Sequence, residues 1–275
     1  MSHVQVTIAV TDPEQQEILI ALLTGLGYEG FEQQDNALLA FLPEAGFDGA
    51  GLEAILRLHN LAYTTTLLPE KNWNEEWEKN FAPVQVGEFC AVRAHFHPPI
   101  PEVTYELIIT PKMSFGTGHH ATTYLMLQAM QNLDFPQKKV LDFGTGTGVL
   151  AILAEKLGSV RVLAIDNDDW SIENAKENIK ENHCMKISLQ KSDTVPRNQR
   201  FDIILANINK HVLLREMACM RQQLEVGGVI LMSGLLHEDF EDIENEAGNC
   251  CLSVSARMTR GSWICLKMEK VKLSN

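Results

Sequence analysis

The stretch LDFGTGTGVLAI, residues 141–152, decides the fold expected for this 275-residue chain. It begins at the end of an apolar run, passes through glycines at 144, 146 and 148, and continues as an apolar segment of helical character. A glycine-rich turn between a buried strand and a helix lets backbone N–H groups approach a ligand at the helix N-terminus. We therefore expect a ligand-binding strand–loop–helix unit of an α/β protein. The alternative is that the glycines only permit tight packing of the strand against the helix.

The spacing of these glycines excludes two common phosphate-binding loops. The dinucleotide fingerprint G-x-G-x-x-G, started at Gly144, would need glycine where Val149 stands, and no G-K-S/T follows as a P-loop requires. Asp142, two residues before the first glycine, suits a ligand with a cationic end better than a pyrophosphate. S-adenosylmethionine carries an ammonium and a sulfonium and fits this description. We expect Asp142, Gly144 and Gly146 to contact it.

A second acidic residue supports a nucleotide-like ligand. Asp166 ends the next predicted strand, VRVLAID, where a carboxylate can accept hydrogen bonds from ribose hydroxyls. Proteins that bind NAD use the same arrangement, so Asp166 alone does not distinguish a methyl donor from a hydride carrier. The glycine spacing makes a dehydrogenase the weakest alternative.

The segment FDIILANIN, residues 201–209, provides the candidate catalytic residue. Ligands bind beyond the carboxyl ends of parallel strands, so Asn207 should face the site. Its amide oxygen can accept an N–H and position an amine for methyl transfer. Such an amine must be deprotonated and desolvated, but no strong base is obligatory. The alternative is that Asn207 caps the following helix.

The stretch MSFGTGHHATT, residues 113–123, contains adjacent histidines that at first suggest a metal. In a helix His119 and His120 would point about 100° apart, so they do not easily face one ion. His95 and His97 share a strand face, but no carboxylate or cysteine joins them at ligand spacing. We predict no metal site. The glycines and threonines predict a polar loop that leads into a helix; it forms either a helix cap or, as we favour, a wall of the cofactor pocket.

The order of predicted elements divides the chain into two domains. Residues 1–70 follow the order β-α-β-β-α-β, which is the ferredoxin-like α+β unit. Residues 71–87 are polar and charged, and we interpret them as a linker. Residues 88–275 alternate strands and helices from position 139 onward, which predicts a mostly parallel sheet covered on both faces.

Charge is distributed unevenly between these parts. Residues 1–70 contain ten acidic residues and a single basic one, Arg57, and so carry most of the net charge of −13. Such a surface attracts a basic partner and repels nucleic acid, although it could also be an ordinary solvated face. The chain shows no transmembrane run and no signal peptide, and its six cysteines lack C-x-x-C spacing. We expect a cytoplasmic protein, with no membrane contact, that is a monomer.

Four motifs occur together in a family-specific order. NWNEEWEKNF (72–81), FGTGHHATT (115–123), LDFGTGTGVLAI with Asp166, and ANIN (206–209) follow the ferredoxin-like unit. Over essentially its whole length the chain resembles the ribosomal protein L-eleven methyltransferases of the PrmA type. The resemblance implies a Rossmann-like class I methyltransferase domain that uses S-adenosylmethionine. It also implies methylation of lysine side chains and the N-terminal amine on a basic protein of the large ribosomal subunit, which the N-terminal domain binds.

The resemblance also implies site residues. The family's donor contacts fall on Thr123, Gly144, Asp166 and Asn207, with Phe115 and Thr117 as neighbours. The sequence ANIN departs from the family's usual run at this place and assigns no role to Asn209. The alternatives are a methyltransferase that acts on RNA or a small molecule with the same core, and a protein that binds S-adenosylmethionine without catalysis.

Overall fold

A computed structural model describes residues 2–68, 82–110 and 120–271 of the chain. Backbone contacts divide it into two compact units, Met1–Phe81 and Ala82–Asn275. Residues 71–81 of the expected linker lie outside the described residues. Its last part belongs to the second unit, because Val84–Val86 form a strand that pairs with Cys90–Arg93.

The first unit is a four-stranded antiparallel sheet with two helices. Its elements are β1 (His3–Ala9), α1 (Pro13–Thr24), β2 (Gly30–Gln34), β3 (Ala37–Pro43), a 3-10 turn (Glu44–Gly46), α2 (Gly49–Leu58) and β4 (Tyr63–Leu68). The sheet order is β2-β3-β1-β4. This is the ferredoxin-like arrangement, as expected from the order of elements.

Local sequence signals explain both helices of this unit. The Asp12 side chain accepts the Glu14 N–H at 3.1 Å and Pro13 is the first helical residue, so α1 begins there. Asp48 caps α2 in the same way. Alternation along β1 buries one face of the strand. That face packs with residues of both helices to form the core: Val4, Val6, Ile8, Leu19, Leu23, Leu52 and Leu56.

The second unit contains ten strands and five helices within its described residues. The elements before the main sheet are β5 (Val84–Val86), β6 (Cys90–Arg93), β7 (Tyr105–Ile108) and α3 (Ala121–Met130). The others are β8 (Lys139–Phe143), α4 (Val149–Lys156), β9 (Arg161–Asp166), α5 (Asp169–Glu181), β10 (Ile187–Lys191), β11 (Phe201–Asn207), α6 (Lys210–Gln223), β12 (Leu224–Leu236), a 3-10 turn (His237–Asp239), α7 (Phe240–Asn249), β13 (Leu252–Arg260) and β14 (Trp263–Lys270).

The main sheet has the order β10-β9-β8-β11-β12-β14-β13. Strands β8 to β12 pair in parallel, and β13 and β14 close one edge in antiparallel pairing. This is the class I methyltransferase architecture. The strand order reverses between β8 and β11, and the crevice at such a reversal is where α/β sheets bind ligands.

A small sheet of β5, β6 and β7 lies beside this fold. Two asparagines, Asn178 in α5 and Asn182 directly after it, hold the end of this sheet's last strand. The Asn182 side chain donates to the Ile108 carbonyl at 2.6 Å and accepts the Ile108 N–H at 3.0 Å, and Asn178 accepts the Thr110 N–H at 2.9 Å. The chain is therefore fixed on α5 just before residue 111.

Candidate active site

A cavity of about 590 Å³ lies at the carboxyl ends of β8, β9, β10, β11 and β12. It coincides with the reversal in strand order. Its lining is His120, Thr122, Phe143, Gly144, Gly146, Asp166, Asn167, Asp168, Ser171, Ser192, Asp193, Asn207, Ile208, Asn209, Val212, Arg215, Gly234 and Trp263.

The glycine loop, which we define as residues 142–148, forms one wall of the cavity. Gly144 has φ +76 and Gly148 has φ +82, conformations that L side chains rarely adopt. A Cβ on Gly144 would collide with Cγ2 of Ile208, and one on Gly148 would lie 3.3 Å from the Ala175 Cβ. The two glycines therefore allow β8 and its loop to approach both the end of β11 and helix α5.

The N–H groups of this loop are used within the protein. Those of Gly144 and Thr145 both donate to the Ile165 carbonyl at 2.9 Å, and that of Gly146 donates to Oδ2 of Asp166 at 2.9 Å. These three N–H groups therefore bond to β9 in this structure, and the contact of Gly144 and Gly146 with the ligand stays a prediction. Because these N–H groups already donate to residues of β9, they are not available to a pyrophosphate. This agrees with the absence of the G-x-G-x-x-G fingerprint from the sequence.

Asp166 lies where the sequence predicts it, at the end of β9 and on the cavity wall. Its Oδ2 accepts from Gly146 and its Oδ1 accepts the Asp168 N–H at 3.1 Å. Each carboxylate oxygen can accept two hydrogen bonds, so capacity is left for hydroxyl groups of a ligand. The two backbone bonds hold the carboxylate in place.

Asp142 does not line the cavity. Its side chain is fully buried, and its Oδ2 accepts the Thr145 hydroxyl at 2.6 Å and the Ala151 N–H at 3.1 Å. Burial raises the pKa of this carboxyl to about 7. Asp142 braces the glycine loop from beneath, because the alternation of β8 turns its side chain into the protein. Its direct contact with a cationic ligand stays a prediction.

Asn207 is the last residue of β11 and lines the cavity. Its Nδ2 donates to Oγ1 of Thr123 at 3.3 Å, whereas its Oδ1 is buried and has no hydrogen-bond partner among the described residues. Thr123 itself is fully buried, contacts Asn207 and is not part of the lining, so its contact with the donor stays a prediction. The neighbouring Thr122 lines the cavity instead, since successive helical residues point about 100° apart.

His120 is the N-cap of α3. Its Nδ1 accepts the Thr122 N–H at 3.3 Å and lies 2.7 Å from the Thr122 hydroxyl. The His120 ring packs edge to face on Trp263, with ring centroids 4.6 Å apart. The sequence left two roles open for the FGTGHHATT stretch, a helix cap and a wall of the pocket. His120 has both roles, because it caps α3 and lines the cavity. Phe115, Thr117 and His119 lie outside the described residues.

Asn209 receives a role that its sequence context did not assign. Its side chain accepts the Val212 N–H at 3.1 Å and caps α6. Asn209, and not Asn207, therefore caps the helix that follows β11. Asn207 lies on the cavity wall.

Three further lining residues were not singled out from the sequence. Ser192 and Asp193 directly follow β10, so the rule that ligands bind beyond the carboxyl ends of strands was a usable signal for them. Trp263 begins β14, and no local pattern marks it, because only the fold places it beside His120. Among the described residues no group of three or more His, Cys, Asp or Glu could hold a metal ion.

Comparison with known proteins agrees with this architecture. The family model described as "Ribosomal protein L11 methyltransferase (PrmA)" matches residues 5–271. A ribosomal protein L11 methyltransferase of Porphyromonas gingivalis is 40% identical over 259 residues, which cover 91% of this chain and 89% of the relative. A ribosomal protein L11 methyltransferase of Phocaeicola vulgatus is 34% identical over 278 residues, which cover 97% of this chain and 99% of the relative.

A solved structure is also similar. The ribosomal protein L11 methylase of Lactobacillus delbrueckii subsp. bulgaricus superposes with a TM-score of 0.66 at 28% identity, over 70% of this chain and 100% of that one. With a family model spanning both units and relatives that match over nearly the whole length, the chain belongs to the ribosomal protein L11 methyltransferase family.

Proposed function

We propose that this chain transfers methyl groups from S-adenosylmethionine to lysine side-chain and N-terminal amines of ribosomal protein L11. Membership of the family makes it a protein methyltransferase with S-adenosylmethionine as donor. L11 is the substrate that the relatives' names give. The single observation that supports amine as the acceptor is the buried Oδ1 of Asn207, which lines the cavity and has no hydrogen-bond partner in the part of the chain that the structure describes.

The cavity wall suits the donor. Asp166 offers carboxylate capacity for ribose hydroxyls, and Gly144 and Gly146 line the same cavity. The loop N–H groups are engaged by β9, which disfavours an anionic ligand end and is compatible with a cationic one. When bound, S-adenosylmethionine supplies an electrophilic methyl group. We assign donor contacts to Asp166, Gly144, Gly146 and Asn207, with Phe115 and Thr117 as neighbours.

The acceptor needs positioning more than it needs a base. A lysine amine has a reference pKa of about 10.4, and desolvation in a cavity lowers it. Oδ1 of Asn207 can accept an N–H of the neutral amine and so orient the nitrogen lone pair. Holding reactants in line accounts for a large part of the barrier reduction in reactions of this kind.

The first unit supports a basic protein as the partner. Its excess of acidic residues, ten against one in residues 1–70, attracts a basic substrate and disfavours RNA. We assign residues 1–70 to substrate recognition and 88–275 to catalysis in a cytoplasmic monomer. We interpret residues 71–87 as a linker whose last part, β5, is built into the second unit. Within residues 2–68, 82–110 and 120–271, no helix has both the length and the apolar composition to cross a membrane.

One labelling experiment tests the proposed function. The protein is incubated with radiolabelled S-adenosylmethionine and ribosomal material from a strain that lacks the enzyme, and the labelled species is identified by mass spectrometry. Label on amines of L11 supports the proposal. Label confined to RNA or to small molecules contradicts it and favours the alternative with the same catalytic core.

A further inference from the structure

The chain between β11 and α6 carries Asn207 and is only a few residues long. We call residues 207–210 the acceptor segment. β11 ends at Asn207, Asn209 is the cap of the next helix, and α6 begins at Lys210. The position of the Asn207 amide therefore depends on how both ends of this segment are anchored.

Two glycines enclose the middle of the acceptor segment. Gly144 lies against the Ile208 side chain, and Gly234 lies against the Ile208 backbone. A Cβ on Gly234 would overlap the Ile208 carbonyl oxygen and lie 2.8 Å from its carbon. Gly234 has φ +87 and lies at the register shift of β12 between Met232 and Leu235. β12 thus approaches the segment at a point where a side chain does not fit.

An ion-pair cluster anchors the far end of the segment. Lys210 Nζ lies 3.0 Å from Oδ1 of Asp239 and 2.6 Å from Oδ2 of Asp242. A cation in the first turn of a helix is disfavoured by the helix dipole, so Lys210 needs these carboxylates nearby. The hydrogen bond to Asp242 and, to a smaller extent, the one to Asp239 raise the pKa of Lys210 above its usual value.

This cluster connects the start of α6 to the end of β12. The other oxygen of Asp239, Oδ2, accepts the Leu236 N–H at 2.8 Å, which ties Asp239 to the strand that carries Gly234. The Lys210 side chain is 26% exposed and that of Asp239 is 16% exposed, so their interaction is only partly screened by solvent. Lys210, Asp239 and Asp242 together form what we call the clasp.

We propose that the clasp and Gly234 are positioning groups for methyl transfer, which hold the acceptor segment so that Oδ1 of Asn207 meets the substrate amine. The inference rests on the proposed function. The direct hydrogen bond of the Asn207 amide, to Thr123, is long at 3.3 Å. Backbone anchoring by β12 and the clasp therefore sets the placement of this side chain. A shift of about 1 Å in such a group can cost up to 10²-fold in rate.

The test compares variants at Lys210 in the full-length protein. Lys210→Met should lower kcat for L11 about tenfold and leave the dissociation constant of S-adenosylmethionine unchanged. Lys210→Arg keeps the cation and should restore most of kcat. Lys176→Met is the matched control, because Lys176 forms an exposed pair with Glu173 on α5, away from the cavity lining. It should leave kcat unchanged.

A double-variant cycle separates positioning from general stability. If Lys210 acts through Asn207, then Lys210→Met should cost no further activity in an Asn207→Ala background. Additive losses would overturn the inference, as would wild-type kcat in Lys210→Met or a parallel loss of donor affinity. Gly234→Ala should likewise lower kcat and retain donor binding, with melting temperature recorded for every variant.

The outcomes also distinguish the inference from the proposed function. If the wild-type protein methylates L11 and the Lys210 variants behave like it, the clasp proposal fails and the function stands. If the wild-type protein binds S-adenosylmethionine but does not label L11, the proposed function itself fails.

Discussion

The glycine loop and the acceptor segment are adjacent parts of one cavity wall and differ in how their polar groups are satisfied. In the loop, the N–H groups of Gly144, Thr145 and Gly146 bond to β9, and Asp166 is held by two backbone donors. In the acceptor segment, Asn207 has a buried oxygen with no hydrogen-bond partner among the described residues. The backbone N–H groups of the loop are therefore satisfied within the protein, whereas the acceptor segment offers a free hydrogen-bond acceptor.

This difference has an energetic meaning. A buried polar group without a hydrogen bond costs about 1–3 kcal/mol, so an N–H that reaches Asn207 Oδ1 relieves a cost already present in the protein. Changes in the loop should therefore alter donor affinity, and changes at the acceptor segment should alter kcat. Oδ1 of Asp142, in β8, also has no hydrogen-bond partner among the described residues, but it lies beneath the loop and its carboxyl can take up a proton at neutral pH.

The largest effect is expected at the acceptor segment. Asn207→Ala removes the buried side-chain oxygen that we assign to the substrate amine, and we expect kcat to fall about 10²-fold, as when a transition-state hydrogen bond is lost. Affinity for S-adenosylmethionine, measured by calorimetry, should change far less. A parallel loss of both would show that Asn207 belongs mainly to the donor site.

The partner of Asn207 provides a graded comparison. Thr123→Val removes the hydroxyl that accepts from Nδ2 of Asn207 but keeps the shape of the side chain. A net hydrogen bond of about 1 kcal/mol predicts a loss of about fivefold in kcat. A large loss of donor affinity would instead support the direct donor contact that the family resemblance implies for Thr123.

The next largest effect is expected on the loop side. Asp166→Ala removes hydrogen bonds to a charged group, each of which contributes about 1.5–3 kcal/mol, and it also releases Gly146. The dissociation constant of S-adenosylmethionine should rise at least about tenfold. With donor at saturation, kcat should recover a large part of its wild-type value. Unchanged affinity would remove Asp166 from the donor site.

The smallest effect concerns the brace beneath the loop. Burial raises the folded-state pKa of Asp142 to about 7, above the unfolded value of about 3.9. The folded state then binds more protons between these two values, so this carboxyl makes the free energy of unfolding fall as pH rises through that window. Asp142→Asn mimics the protonated form and should flatten the dependence, by on the order of 1 kcal/mol between pH 5 and 7.

Denaturant unfolding of both proteins at several pH values measures this prediction. The nearby Asp166 also raises the pKa of Asp142, so Asp166→Ala should weaken the same pH dependence. Identical slopes in wild type and Asp142→Asn would show that Asp142 is ionised throughout the window.

The sequence predicted the fold and part of the site for identifiable reasons. Strand and helix periodicities lie in consecutive residues, so the ferredoxin-like unit and the class I methyltransferase sheet could be recognised directly. Asp166 and Asn207 were placed on the cavity wall because they end parallel strands, and every such end lies at the same edge of the sheet. The direct donor contacts expected of Asp142 and Thr123 stay predictions, although neither residue is part of the cavity lining among the described residues.

By itself, then, the amino-acid sequence determined the order of elements, the glycine turn that excludes a dinucleotide loop, and the family. Tertiary structure alone decided which polar atoms are left without partners and which side chains reach the cavity. It also brought Lys210 to Asp239 and Ile208 to Gly234. The physical reason is distance along the chain: periodicity is a local property, whereas hydrogen-bond satisfaction and close backbone approach depend on residues that only packing brings together.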